Sequence, residues 1–247
     1  MPIIYRIDSR DRLNSSLSNT DFVVNTDPVA TLSAQVKMVI VPNVFNNIRS
    51  LPESDANATY SYEIGGVPGS FTIPDGFYNI TQLITYIEAQ IAVTIVADAN
   101  TGLLTLTNNT GADFEIITYA DGNLIGDVLG ISATSTLANG ASSTFGNKYN
   151  LYSYQMVYIA SRRLSDGFNV VSGAGRFPVI ATVPIDVEYG GLIYYEVAEQ
   201  HEIIYPSTNN IEEIDIQLVN HYGHVIPLPP NYHIQVLVEF QPLASMR

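Results

Sequence analysis

Apolar and polar residues alternate with a period of two along much of this chain. Ile234, Val236, Val238 and Phe240 alternate with His233, Gln235, Leu237 and Glu239, and Ile214, Ile216 and Leu218 alternate with Glu213, Asp215 and Gln217. Successive strand side chains point to opposite faces, so this pattern predicts strands with one buried face. The same reading places strands at 3–7, 22–25, 34–41, 152–159, 177–183 and 192–196, with Val36, Met38 and Ile40 expected on the core face of the third. Residues 8–20 are polar and read as an extended arm or loop. Eight antiparallel strands in two sheets is the jelly-roll number, and roughly eight lie outside the middle of the chain. The predicted class is mainly β, a single jelly-roll β-sandwich with a small α+β insertion.

The middle has a different texture. Residues 60–64 and 70–73 flank Gly65-Gly66-Val67-Pro68-Gly69 and read as a hairpin. Ile80, Leu83, Ile84, Ile87 and Ile91 repeat at helical spacing, behind Asn79 as N-cap and Gln82 as the return partner of a capping box. Strands follow at 94–97, 103–107 and 114–118, then a short helix at 124–129 with Asn123 as its cap and Gly130 as its stop. The Ser-, Thr- and Gly-rich stretch 132–147 reads as a linker. The predicted organisation is therefore a β-scaffold of residues 1–56 and 148–247 carrying an inserted domain at 57–147.

Charge sharpens that division. Between Arg49 and Lys148 lie 98 residues without lysine or arginine but with ten carboxylates. The whole chain carries a formal charge of −14, from 24 acidic and 10 basic side chains, which repels a phosphate backbone and argues against direct nucleic-acid binding. With no cysteine there is no disulfide framework and no thiolate ligand. No apolar run approaches the ~20 residues of a membrane helix, and the first residues lack a signal-peptide pattern, so assembly in the cytoplasm is expected.

The chain carries no Gly-x-Ser-x-Gly elbow, phosphate loop, His-Glu-x-x-His or calcium loop, and no catalytic, cofactor-binding or metal-binding residue is assigned. His221 and His224 form the one close histidine pair and read as solvated loop residues. Glu213 and Asp215 read as a solvated strand face, and Tyr152, Tyr154 and Tyr158 as sheet packing. The arginines are the candidates for function. Arg10, Arg12, Arg162, Arg163 and Arg176 are predicted to meet acidic edges containing Glu188, Glu196, Glu199 and Glu202 on a neighbouring copy, since a planar guanidinium pairs well with carboxylates.

Several stretches resemble the penton, or minor capsid, proteins of virophages and Polinton-like viruses. They are Tyr5-Arg6-Ile7-Asp8-Ser9-Arg10-Asp11-Arg12, Ser18-Asn19-Thr20-Asp21-Phe22-Val23-Val24, Gly173-Ala174-Gly175-Arg176 leading into Ala181-Thr182-Val183-Pro184-Ile185-Asp186, Tyr189-Gly190-Gly191-Leu192-Ile193-Tyr194-Tyr195-Glu196, and Val236-Leu237-Val238-Glu239-Phe240. Within the insertion, Ile73-Pro74-Asp75-Gly76-Phe77-Tyr78 and Asp127-Val128-Leu129-Gly130-Ile131 match as well. The resemblance implies a virion protein that forms homopentamers at the five-fold vertices of an icosahedral capsid, surrounded by a major capsid protein. It also implies that the insertion projects outwards, where a host receptor or glycan would be its ligand. The alternative reading is a carbohydrate- or receptor-binding β-sandwich.

Overall fold

The runs 22–25 and 34–41 are parts of one 22-residue strand, β2 (Asp21–Pro42). In the computed structural model, residues 2–13, 18–50, 56–164, 169–172, 175–197, 203–204 and 210–242 are described. The chain forms two units, Met1–Phe45 with Tyr154–Arg247, and Asn46–Ser153. The first unit holds β1 (Ile3–Asp8), β2, β10 (Met156–Ala160), β11 (Asn169–Ser172), β12 (Gly175–Pro184), β13 (Leu192–Glu196), β14 (Ile203–Ile204), β15 (Asn210–Val219) and β16 (Gln235–Pro242). The remaining strands belong to the second.

All pairings in the first unit are antiparallel. The first half of β2 pairs with β15, Phe22 opposite Ile216 and Val24 opposite Ile214, and the ladder continues through β10, β12 and β11. The second half lies between β16, itself paired with β1, and the short strands β13 and β14. Side chains from both ladders fill a single core, including Val236, Val238 and Phe240 of β16, Ile214, Ile216 and Leu218 of β15, Ile159 of β10 and Ile193 of β13. Two sheets facing one another across a shared apolar layer make a β-sandwich.

The alternation read for β15 and β16 matches the buried faces observed. In β2 it does not. Val36, Val39 and Val41 face the core, while Met38 and Ile40 face outwards. The cause is a bulge: Leu237 lies opposite Met38 but the next residue, Val238, lies opposite Val36, so Lys37 is extra and the phase flips. Strand β10 starts at Met156, later than expected, and Tyr152 is 82% exposed, with no part in sheet packing. Tyr154 does pack, edge-to-face on Phe45, and Tyr158 packs edge-to-face on Phe177 over the outer side of β10.

In the second unit β3 (Thr59–Ile64) and β4 (Val67–Thr72) form the expected hairpin. Gly65 and Gly66 both have positive φ, 59° and 80°, as a two-residue hairpin loop with right-handed strand twist requires. Helix α1 (Ile80–Gln90) has both bonds of the capping box, Gln82 N to Asn79 Oδ1 at 2.9 Å and Asn79 N to Gln82 Oε1 at 3.0 Å. β5 (Val93–Ala97), β6 (Leu104–Asn108), β7 (Phe114–Ile116), α2 (Gly126–Leu129), β8 (Ser135–Leu137) and β9 (Ser142–Thr144) complete it. The sheet orders are β4-β3-β7-β8 and β5-β6-β9, around a core that includes Leu83, Ile87, Tyr60, Leu106 and Phe114.

Two local expectations are corrected. The stretch 132–147 is not a linker, because Leu137 and Phe145 are buried in the core and β8 and β9 each close a sheet edge. Asn123 does not cap α2. Its amide instead donates to Ile117 O and its Oδ1 accepts from Ser61 N, so the helix starts only at Gly126. Gly130 does end it, with φ 79°. The unit also takes in residues beyond the 57–147 span read from the sequence. Asn47 donates to Tyr78 O and Leu151 O and accepts from Tyr78 N, and Ile48 is buried.

Phe240 has no exposed surface and meets Tyr5 edge-to-face at 5.7 Å. Replacing it with alanine is expected to lower unfolding free energy by about 3–5 kcal/mol, measured by urea titration. Asn79→Ala, which removes the helix cap, is expected to cost about 1 kcal/mol.

Candidate assembly surface

The arginines singled out in the sequence sit where strands end. Asp8 closes β1 and caps the short 3₁₀ turn Ser9–Asp11, its carboxylate accepting from the backbone N of Arg10. The Arg10 guanidinium bonds both oxygens of that carboxylate, Nε to Oδ1 at 2.9 Å and Nη2 to Oδ2 at 2.5 Å, while Arg6 Nη2 approaches Oδ2 at 3.3 Å. Asp8 is 2% exposed, whereas the two arginine side chains are more than half exposed. The Arg10 hydrogen bonds outweigh the opposing effect of burial and hold the Asp8 carboxyl down at about 2. Arg12 bends back to donate from Nη1 to Ser9 O at 2.9 Å, and its buried Nε has no partner. His233 bonds Ser9 Oγ through Nδ1 at 3.1 Å, and that oxygen also accepts from Ile234 N.

Arg162 and Arg163 lie in the turn after β10, and Asp215 of β15 organises that turn. Its carboxylate accepts from Ser161 Oγ, Arg162 N and Arg163 N, each at 2.9 Å. The neighbouring Glu213 forms an ion pair with Arg163. Glu213 and Asp215 do share the outward face, as their spacing predicts, but they serve the adjoining turn rather than solvent alone. The backbone of Arg176 pairs opposite Val171 in the β11–β12 hairpin; its side chain, like Glu199 and Glu202, lies outside the described residues. So do Gly173 and Ala174.

The topology brings the two arginine pairs to opposite ends of one row. Leu13 N donates to Val23 O, Val23 lies opposite Asp215, and Asp215 holds the backbone of Arg162 and Arg163. Arg10 and Arg12 thus flank one side of the β2–β15 pair, and Arg162 and Arg163 the other. Of the four, Arg10 and Arg163 already have carboxylate partners in their own chain, while Arg162 presents an exposed side chain. Glu188 and Glu196 are exposed at the far side of the other ladder.

The polar arm 8–20 packs on its own unit where it is described. Asn19, 7% exposed, donates to the carbonyls of Pro229, Pro230 and Tyr232 at 2.7–3.2 Å. That clamp was not legible beforehand, because its acceptors are backbone atoms some 210 residues away. The rings of His221 and Tyr222 lie 3.7 Å apart, tilted by 43°, and no group of three or more His, Asp or Glu residues at metal-binding range exists among the described residues. In the second unit Glu63 lies opposite Glu115 on β3 and β7, and partial burial with this like charge raises the Glu115 carboxyl. No helix among the described residues is long and apolar enough to cross a membrane.

No protein-family model matches the chain, and no curated protein matches it. Among solved structures it is similar to the mavirus penton protein, with a TM-score of 0.54 over 98% of this chain and 100% of that one, at 10% sequence identity. The likeness is one of fold, a penton-like β-sandwich, at very low sequence identity.

The Asp8 cluster predicts an acid dependence. A carboxyl depressed in the folded state stabilises fully above its unfolded value near 3.9, and that stabilisation is lost as pH falls towards about 2. Asp8→Asn is expected to remove ~1–2 kcal/mol at pH 7 and to flatten the loss of stability between about pH 4 and 2, as followed by thermal melts across pH.

Proposed function

We propose that this chain is a capsid vertex protein, a single jelly roll that assembles as a homopentamer on five-fold axes and contacts a surrounding major capsid protein. The observation that carries this reading is the likeness to the mavirus penton protein over nearly the whole of both chains, second unit included. Ladder order supports the jelly roll. Number the segments in chain order as β1, the first half of β2, the second half of β2, β10, β12, β13 with β14, β15 and β16. The two ladders then read 1-8-3-6 and 2-7-4-5, which is the strand order of two interlocked Greek keys. β11 adds an edge hairpin to the second ladder.

The role is assembly. Work is done by buried area and closed symmetry, with no bond chemistry. Arg10, Arg12, Arg162 and Arg163, with Arg176, are proposed to face acidic groups of neighbouring molecules, Arg162 with the least competition from its own chain. Location in the virion follows, with assembly in the host cytoplasm before packaging. The insertion, residues 57–147 extended by its anchoring segments, is proposed to project from the vertex and to meet a host receptor or glycan. Exposed Tyr119 and Tyr152 in the second unit favour that ligand-binding role, and they are also the observation behind the alternative of a carbohydrate-binding module.

Native mass spectrometry of the purified chain is expected to show a pentamer that Arg162→Glu weakens several-fold. A strictly monomeric protein at high concentration that binds a glycan tightly would replace this reading with the alternative.

A further inference from the structure

The two outermost strands of the ladder built on the second half of β2 are chemically opposite. Among the described residues β1 pairs only with β16, and β13 only with β2, so each leaves one backbone edge open. Ladder alternation identifies the open groups. Ser9 N donates to Ile234 O, which turns Ile7, Tyr5 and Ile3 towards β16 and the N–H and C=O of Ile4 and Arg6 away from it. On the other side Asn43 N donates to Gly191 O and Val197 N to Lys37 O, which leaves the backbone of Leu192, Tyr194 and Glu196 pointing outwards.

The side chains of these residues match in character and oppose in charge. Ile4 is 58% exposed and Tyr194 66%, an apolar group on each edge. Beside Ile4 stands Arg6, 60% exposed, which shares the Asp8 carboxylate with Arg10 through the longer contact, 3.3 Å against 2.5 Å. Beside Tyr194 stands Glu196, exposed, with Glu188 in the preceding turn. An open strand edge with apolar side chains is a template for pairing with another chain. Contact between like edges would set Arg6 against Arg6 or Glu196 against Glu196, whereas contact between unlike edges neutralises both. Unlike-edge contacts repeat head to tail, and they close into a ring when the rotation from copy to copy is a whole fraction of a turn.

We infer that β1 of one copy docks on β13 of the next, with Ile4 near Tyr194 and Arg6 answering Glu196. This rests on the ring-forming reading above and names the two edges that close the ring. The first ladder edge is thereby covered in every copy, and the exposed apolar residues on it acquire a partner.

The absence of native cysteine makes the contact directly testable by oxidative cross-linking. Ile4→Cys and Tyr194→Cys proteins, both altered at exposed positions, are purified separately, and wild-type protein is sized in parallel by native mass spectrometry. Mixing the two variants is expected to give covalent dimers about tenfold or more above either alone, a ratio equivalent to ~1.4 kcal/mol of preference. A chain carrying both substitutions should give a ladder of multimers that ends at the ring. Arg6→Glu should reduce the yield, and adding Glu196→Lys to the same chain should restore it. Wild-type rings without this cross-link, or self-dimers as abundant as mixed ones, would overturn the inference and leave the ring standing. Monomers throughout would overturn the ring reading and this contact with it.

Discussion

The first unit depends on one strand that belongs to two sheets. β2 supplies the partner of β15 with its first half and of β16, β13 and β14 with its second, so the register of most of the sandwich is referred to a single segment. The extra residue at Lys37 is part of that design. It lets Val36 and Val39 both enter the core and turns Met38 and Ile40 outwards, onto the face that also carries Leu192 and Tyr194. A strand this long with apolar groups on both sides is hazardous when alone. Burial between β16 and β13 along its second half is what makes it tolerable.

Polar side chains then fix what the ladders leave loose. Asn19 gathers three carbonyls of the 229–232 loop, Asp215 holds the turn after β10, and Asp8 gathers Arg10 and the start of the 3₁₀ turn. In the second unit Asn47 and Asn123 do the same for the segments on either side of the sheets. Asparagine suits these places because it both donates and accepts, and a buried backbone group left without a partner is costly.

The periodic strands were legible in the sequence because a half-buried face writes itself as alternation, as in Ile214-Ile216-Leu218. The capped helix at Asn79 was legible because its bonds join residues only three positions apart. What was not legible depends on contacts distant in sequence. Neither the bulge at Lys37 nor the continuity of β2 across 26–33 has a local signature, and the small polar strands β8 and β9 look like linker until Leu137 and Phe145 find the core. The arginines singled out in the sequence lie close to strand ends in the fold. The Asp8–Arg10 pair joins residues two positions apart, whereas Arg163 and Glu213 become partners only through the fold.

A vertex protein has to solve two problems at once, a stable protomer and edges that remain available to copies of itself. On the proposed vertex reading, the sandwich meets the first with a continuous apolar core, and the arginine-bearing edge at β1 and the glutamate-bearing edge at β13 are the candidates for the second. The second unit has Arg49 and Lys148, near its two ends, as its only Lys or Arg residues and sets Glu63 opposite Glu115, which on the same reading suits a face turned towards solvent. Electron cryo-microscopy of icosahedral particles assembled with this chain is the most direct measurement of the central claim. A vertex protein gives five copies around each five-fold axis, with the first unit embedded in the shell and the second on its outer side; density for the chain away from the five-fold axes, or particles whose vertices lack it, would rule the vertex role out.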